Sequence, residues 1–140
     1  RHGAGKMETA VNRGRQVSWL AVGLGAALGA WLRWGLSIWF NAVNNHVPVG
    51  TLTANLVGGY LVGIAVAFFS GHPGVPPEWR LFAVTGFLGG LTTFSTFSAE
   101  AVLLLQRGDY MWALTHTALH LIGSIACCIA GFATYRAFAA

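Results

Sequence analysis

Apolar residues fill this chain in four long blocks, and most charged positions fall before the first block or at the edges of the others. A helix of about 20 predominantly apolar residues crosses the hydrocarbon core of a bilayer, and each block reaches that length. The first predicted span runs from about Trp19 to Phe40 and the second from about Val49 to Ser70. The third starts near residues 78–80 and ends near Gln106, and the fourth runs from Tyr110 to about Phe138. Polar or breaking residues separate them. Asn44, Asn45 and His46 mark a short turn over 41–48, residues 71–77 form a Gly/Pro-rich loop, and Gln106-Arg107-Gly108-Asp109 is a tight turn. Trp19, Trp79, Tyr110, Trp112 and Tyr135 fall near span ends, where amphipathic rings anchor at headgroup level. An even number of spans puts both termini on one side.

Composition strengthens this reading of an all-α membrane protein. Only 9% of the 140 residues are charged, whereas 55% are hydrophobic; a soluble domain carries about 25% charged residues. The 19 glycines fit helices whose backbones approach closely in lipid. The chain begins with Arg1 rather than Met, and residues 1–18 are expected to be a disordered or partly non-native tail preceding a transmembrane domain over 19–138. No cleavable signal peptide is read in it.

The net charge of +4 is not a nucleic-acid signal, because Arg1, Lys6, Arg13 and Arg15 cluster at the start and the other basic residues are scattered singly. They are read as facing phospholipid headgroups. Lys6, Arg13, Arg15, Arg80 and Arg136 fall on the terminal side and Arg107 alone opposite, a bias that by itself favours cytoplasmic termini. Cys127 and Cys128 are adjacent, which suits neither a disulfide framework nor a Cys-x-x-Cys site; they are read as small apolar fillers.

The third span is unusual. Its middle reads Gly86-Phe87-Leu88-Gly89-Gly90-Leu91-Thr92-Thr93-Phe94-Ser95-Thr96-Phe97-Ser98. Paired glycines followed by Ser and Thr are poor helix material, so a break mid-membrane is expected around residues 89–95. Unwound backbone at membrane depth is tolerated only where protein or a water-filled cavity covers it, and it offers carbonyls and amides as ion ligands. An intact packing helix of small residues is the plainer alternative.

Polar residues recur at helical spacing in two other spans. Thr51, Asn55, Gly59 and Gly63 stay near one face of the second, and His116, His120, Ser124 and Cys128 near one face of the fourth. Two such stripes could line one narrow path. Equally, Gly25-x-x-x-Gly29 and Gly59-x-x-x-Gly63 are the small-residue pairs that pack membrane helices. His116 and His120 have the i,i+4 spacing of helical metal sites but no third ligand nearby in sequence. Glu100 is the one carboxylate well inside a span, either a proton carrier or a buried cap. Arg33 lies inside the first span, to snorkel or to pair, with Glu100 one candidate partner.

Phe94 and Phe97 share a helix face among hydroxyls. By default they are core. An aromatic ring also has a positive edge, and two such edges beside hydroxyl and amide donors would favour a small, strongly hydrogen-bonding anion such as fluoride.

Three segments carry a family resemblance. The first is Gly25-Ala26-Ala27-Leu28-Gly29-Ala30-Trp31-Leu32-Arg33-Trp34, in which Ala26 and Trp34 depart from the usual Gly and Tyr. The second is Gly50-Thr51-Leu52-Thr53-Ala54-Asn55-Leu56-Val57-Gly58, and the third, the most specific, runs from Gly86 through Phe94 and Phe97 to Glu100. In their order and spacing the chain resembles the Fluc (CrcB) fluoride channels.

The resemblance implies an antiparallel, dual-topology homodimer in the bacterial inner membrane, with two pores that passively export toxic fluoride. It implies that Asn55, Phe94, Phe97 and Ser124 line the pores, with Thr51 and His120 on the polar path. It also implies a structural sodium ion at the dimer centre, held by the Gly89 and Thr92 backbone carbonyls of each subunit; Arg33 and Glu100 are read, from their places inside spans, as structural. The rival reading is a small dimeric proton-coupled multidrug exporter. Such exporters look built around a membrane-embedded Glu in the first helix, which this chain lacks. A non-transporting membrane subunit is a second rival. An enzyme is not expected, because no nucleophile–base pair, strong metal motif or phosphate loop is present.

Overall fold

The computed structural model describes residues 2–140, so Arg1 lies outside it. The described residues are helical, with no strand among them. Helix α1 is His2–Phe40, α2 is Val49–Gly71, α3 covers residues 77–91, α4 is Phe94–Gln106 and α5 is Tyr110–Ala139. With α3 and α4 forming one passage, Pro77–Gln106, the chain has four helical stretches long and apolar enough to cross a membrane. This is a multi-pass membrane protein.

Helix α1 continues back through residues 3–18, where the sequence reading placed a tail. Ala4, Lys6, Met7, Glu8, Ala10 and Gln16 are good helix formers, and this stretch is exposed almost throughout.

The turns are built as their residues dictate. The Asn44 side-chain oxygen accepts the amides of His46 and Val47 at 2.7 and 3.0 Å, an Asx turn. The Asn41 side chain accepts the Thr51 amide at 3.1 Å and so satisfies a free donor in the first turn of α2. At the other tight turn Gly108 takes φ +77°. Its amide reaches the Leu105 carbonyl at 3.0 Å, and the Asp109 amide reaches Leu104 at 2.9 Å. That pair is a Schellman closure, which glycine permits because it lacks Cβ.

Packing follows the glycines. A Cβ on Gly29 would collide with the Phe87 carbonyl oxygen, and one on Gly63 with the Cys128 carbonyl. Close approach of α1 to α3, and of α2 to α5, therefore depends on residues with no side chain. The two small-residue pairs of the sequence act here in packing. Within α3, Leu81–Leu88 is wound as a π-helix, a rare form that concentrates at functional sites. Ala54, Leu88 and Leu91 form the buried apolar centre. Thr51, Asn55, His116 and His120 are buried beside it despite their polarity.

Candidate functional site

The site is organised by two residues outside regular winding. Helix α3 ends at Leu91, Thr92 (φ −85°, ψ 152°) and Thr93 (φ −149°, ψ 122°) are extended, and α4 starts at Phe94. Extended backbone needs other partners for its polar groups, and Asn55 supplies them. Its Oδ1 accepts the Thr93 amide at 2.7 Å, and its Nδ2 donates to the Thr93 carbonyl at 3.0 Å. The same Nδ2 lies 2.9 Å from His120 Nδ1. The Thr93 hydroxyl then accepts the Thr96 amide at 3.1 Å, capping α4.

These bonds divert amides that an unbroken helix would use. In regular winding the Thr93 amide would close on the Gly89 carbonyl and the Thr96 amide on Thr92. Here they bond to Asn55 and to the Thr93 hydroxyl instead. The Gly89 and Thr92 carbonyls are thereby released from the helical pattern. The Gly90 carbonyl accepts from Arg33 Nε at 3.0 Å.

A cleft of about 560 Å³ lies against this segment. Its walls include Asn55 and Gly59 from α2, Thr92 and Thr93 from the extended link, Phe94 and Phe97 from α4, and Thr117, His120 and Ser124 from α5. The Phe94 and Phe97 rings lie 5.4 Å apart at a 55° tilt. Phe97 is also 4.9 Å from the His120 ring. Phe94 is 79% exposed, so this chain alone does not enclose the cleft at that ring.

Deeper in, Thr51 Oγ1 donates to Glu100 Oε2 at 2.9 Å. Glu100 Oε1 is 3.7 Å from His116 Nε2, which itself lies 3.3 Å from the Phe97 carbonyl. The polar stripes of the second and fourth spans thus meet through Asn55–His120 and through Thr51–Glu100–His116.

The structure brings Asn55, Phe94, Phe97, Ser124 and His120 to one cleft, with Thr51 beside it through Glu100. It does not form the Arg33–Glu100 pair: Arg33 reaches the Gly90 carbonyl of the neighbouring α3, and Glu100 takes the Thr51 hydroxyl. Asn55 differs from a free amide donor, because both polar atoms of its side chain are committed to Thr93 and His120. The sequence reading singled out neither Thr93 nor Thr117. The signal for Thr93 was a cap residue, Thr, at the head of a hydroxyl-rich helix start; Thr117 carried none.

Residues 20–132 match the family described as CrcB-like protein, Camphor Resistance (CrcB). The chain belongs to the CrcB family. It is 63% identical over 123 residues to a protein of Cupriavidus pinatubonensis named fluoride-specific ion channel FluC, covering 88% of this chain and 98% of the relative. A protein of the same name from Ralstonia pickettii is 60% identical over 122 residues, 87% of this chain and 97% of its own. Another from Pseudomonas putida is 60% identical over 118 residues, 84% and 93% respectively. The CrcB match covers the extended link, the cleft and every polar contact described around them.

Proposed function

We propose that this chain is a fluoride-selective channel of the bacterial inner membrane, exporting fluoride passively and catalysing no reaction. The observation that carries this is the Asn55–Thr93 exchange, which holds extended backbone of the third passage beside a cleft walled by Phe94, Phe97, Ser124 and His120. Relatives at least 60% identical over 97% or more of their length bear the name fluoride-specific ion channel. Fluoride accepts strong hydrogen bonds, and a desolvated anion is held by donors and by positive ring edges. The Ser124 hydroxyl and the edges of Phe94 and Phe97 supply both, with no cation among the described residues that line the cleft. Asn55 shapes the path by holding its wall.

The working form is an antiparallel, dual-topology homodimer with two pores. Support comes from Phe94, which lines the cleft yet is 79% exposed; a second copy would complete that wall. A central structural sodium fits the released carbonyls of Gly89 and Thr92, since hard cations take oxygen ligands. Such an ion would satisfy backbone groups for which lipid offers no partner.

Reconstitution tests this directly. Liposomes loaded with fluoride and chloride, and carrying the purified chain, should release fluoride rapidly and retain chloride. Retention of both ions would overturn the channel reading, and release of both would overturn selectivity.

A further inference from the structure

Glu100, His116 and His120 each bring one ligating atom to a common place, a carboxylate oxygen and two ring nitrogens within 4.8 Å of one another. His116 is 0% exposed and His120 5%. They stand one turn apart on α5 with ring centroids 4.4 Å from each other, and Glu100 faces them from α4. Glu100 Oε1, His116 Nδ1 and His120 Nε2 are buried with no hydrogen-bond partner among the described residues. Buried polar atoms are nearly always paired, so three unpaired ones in one cluster point to a ligand.

Each of the three residues also makes a polar contact outside the cluster. Thr51 holds the other Glu100 oxygen and Asn55 the other His120 nitrogen, and His116 Nε2 lies 3.3 Å from the Phe97 carbonyl and 3.7 Å from Glu100 Oε1. Outer contacts such as those of Thr51 and the Phe97 carbonyl orient side chains at a metal centre.

We propose that Glu100, His116 and His120 bind a divalent transition ion of the zinc class, and that its binding obstructs the pathway. Two imidazoles and one carboxylate are a zinc donor set that leaves a fourth position open. Nitrogen donors set the site apart from the all-oxygen ligation of a hard cation. Metal–ligand bonds of about 2.0–2.2 Å put tetrahedral ligand atoms about 3.4 Å apart, so atoms within 4.8 Å of one another close by up to about 1.4 Å through the torsions of all three side chains.

Occupancy has a consequence for the path. Asn55 Nδ2 is a donor, so His120 Nδ1 accepts and the ring proton sits on Nε2. An ion takes the Nε2 lone pair only when that proton has moved, through solvent, to Nδ1. Nδ1–H then faces the Asn55 amide, donor against donor, and the Asn55–His120 bond is lost. The cation comes to rest beside Phe97, whose ring lies 5.2 and 4.9 Å from those of His116 and His120.

Cobalt(II) titrated into the purified full chain in detergent tests the site by its visible absorption. The wild type should develop the intense band of a low-coordinate cobalt centre and lose it to added zinc. His116→Gln and Glu100→Gln should bind at least about tenfold more weakly. His46→Ala and His72→Ala, outside the cluster, should match the wild type. Helical circular dichroism and a wild-type elution volume establish that each variant is folded, with His116→Asn and Glu100→Asp replacing any that is not. No band in the wild type, or undiminished binding in the folded cluster variants, overturns the site.

Zinc should also slow fluoride release from liposomes about tenfold or more; this arm rests on the channel reading. Unaltered release from a chain that shows the band overturns the obstruction. A band without any fluoride release keeps the site and removes the channel reading, and fluoride release without a band does the reverse.

Discussion

Asn55 and Thr93, on different passages and 38 positions apart, exchange two hydrogen bonds as two adjacent strands would, at 2.7 and 3.0 Å. One side-chain amide thereby substitutes for the helical partners of a residue that has left the helix. An amide does this because it carries a donor and an acceptor on one carbon.

Asn55→Asp keeps the shape of the side chain and removes the donor. The carboxylate still accepts the Thr93 amide, but its second oxygen faces the Thr93 carbonyl, an acceptor, where the amide donated. Fluoride release should fall by at least about tenfold and the melting temperature should drop. Liposome release and thermal unfolding measure the two effects, and wild-type values in both would refute the clamp.

Phe94→Ile and Phe97→Ile keep apolar bulk and remove the ring edge. Both variants should assemble like the wild type and release fluoride at least about tenfold more slowly. Undiminished release from both purified variants would show that the edges do not serve the ion.

Thr93→Val removes the hydroxyl that accepts the Thr96 amide and should cost about 1 kcal/mol, a usual cap contribution. Thr93→Ser retains the acceptor and should recover most of the loss. Chemical unfolding of the three proteins measures the differences, and equal stability of Val and wild type would rule out the cap.

If sodium occupies the Gly89 and Thr92 carbonyls of two subunits, replacing it with a large organic cation should lower the unfolding temperature. A ligand bound to the folded state stabilises it by mass action. A melting curve indifferent to sodium over a hundredfold range would argue against that ion.

The length of each apolar block placed the spans, and Val49–Gly71 and Pro77–Gln106 begin and end within a residue or two of the expected positions. The periodic polar positions also placed Asn55, His120 and Ser124 toward one space, because i,i+4 spacing stays near one helix face. What was not legible depends on contacts between distant residues. The partner of Arg33 is a carbonyl on α3, reachable only because glycines bring α1 against it. The π-winding of Leu81–Leu88 differs from α-winding by which carbonyl each amide selects, and composition does not encode that choice. The helical state of residues 3–18 follows from residue propensity, which the setting-aside of a tail overlooked.

Two glycines of α1 separate packing from flexibility. At Gly29 a Cβ would strike the Phe87 backbone carbonyl, whereas at Gly23 nothing lies within 4 Å. A backbone atom cannot rotate away, so Gly29→Ala must push α1 from α3. Overpacking of this kind costs about 1–3 kcal/mol, and the displacement should also pull Arg33 from the Gly90 carbonyl. Gly23→Ala meets no neighbour and gains the helix preference of alanine, about 0.8–1 kcal/mol. Thermal unfolding should therefore place Gly29→Ala below the wild type and Gly23→Ala at or above it. Equal melting of the two variants would mean that the contact between α1 and α3 tolerates a methyl group, and that the glycine spacing in the first passage is not what sets their approach.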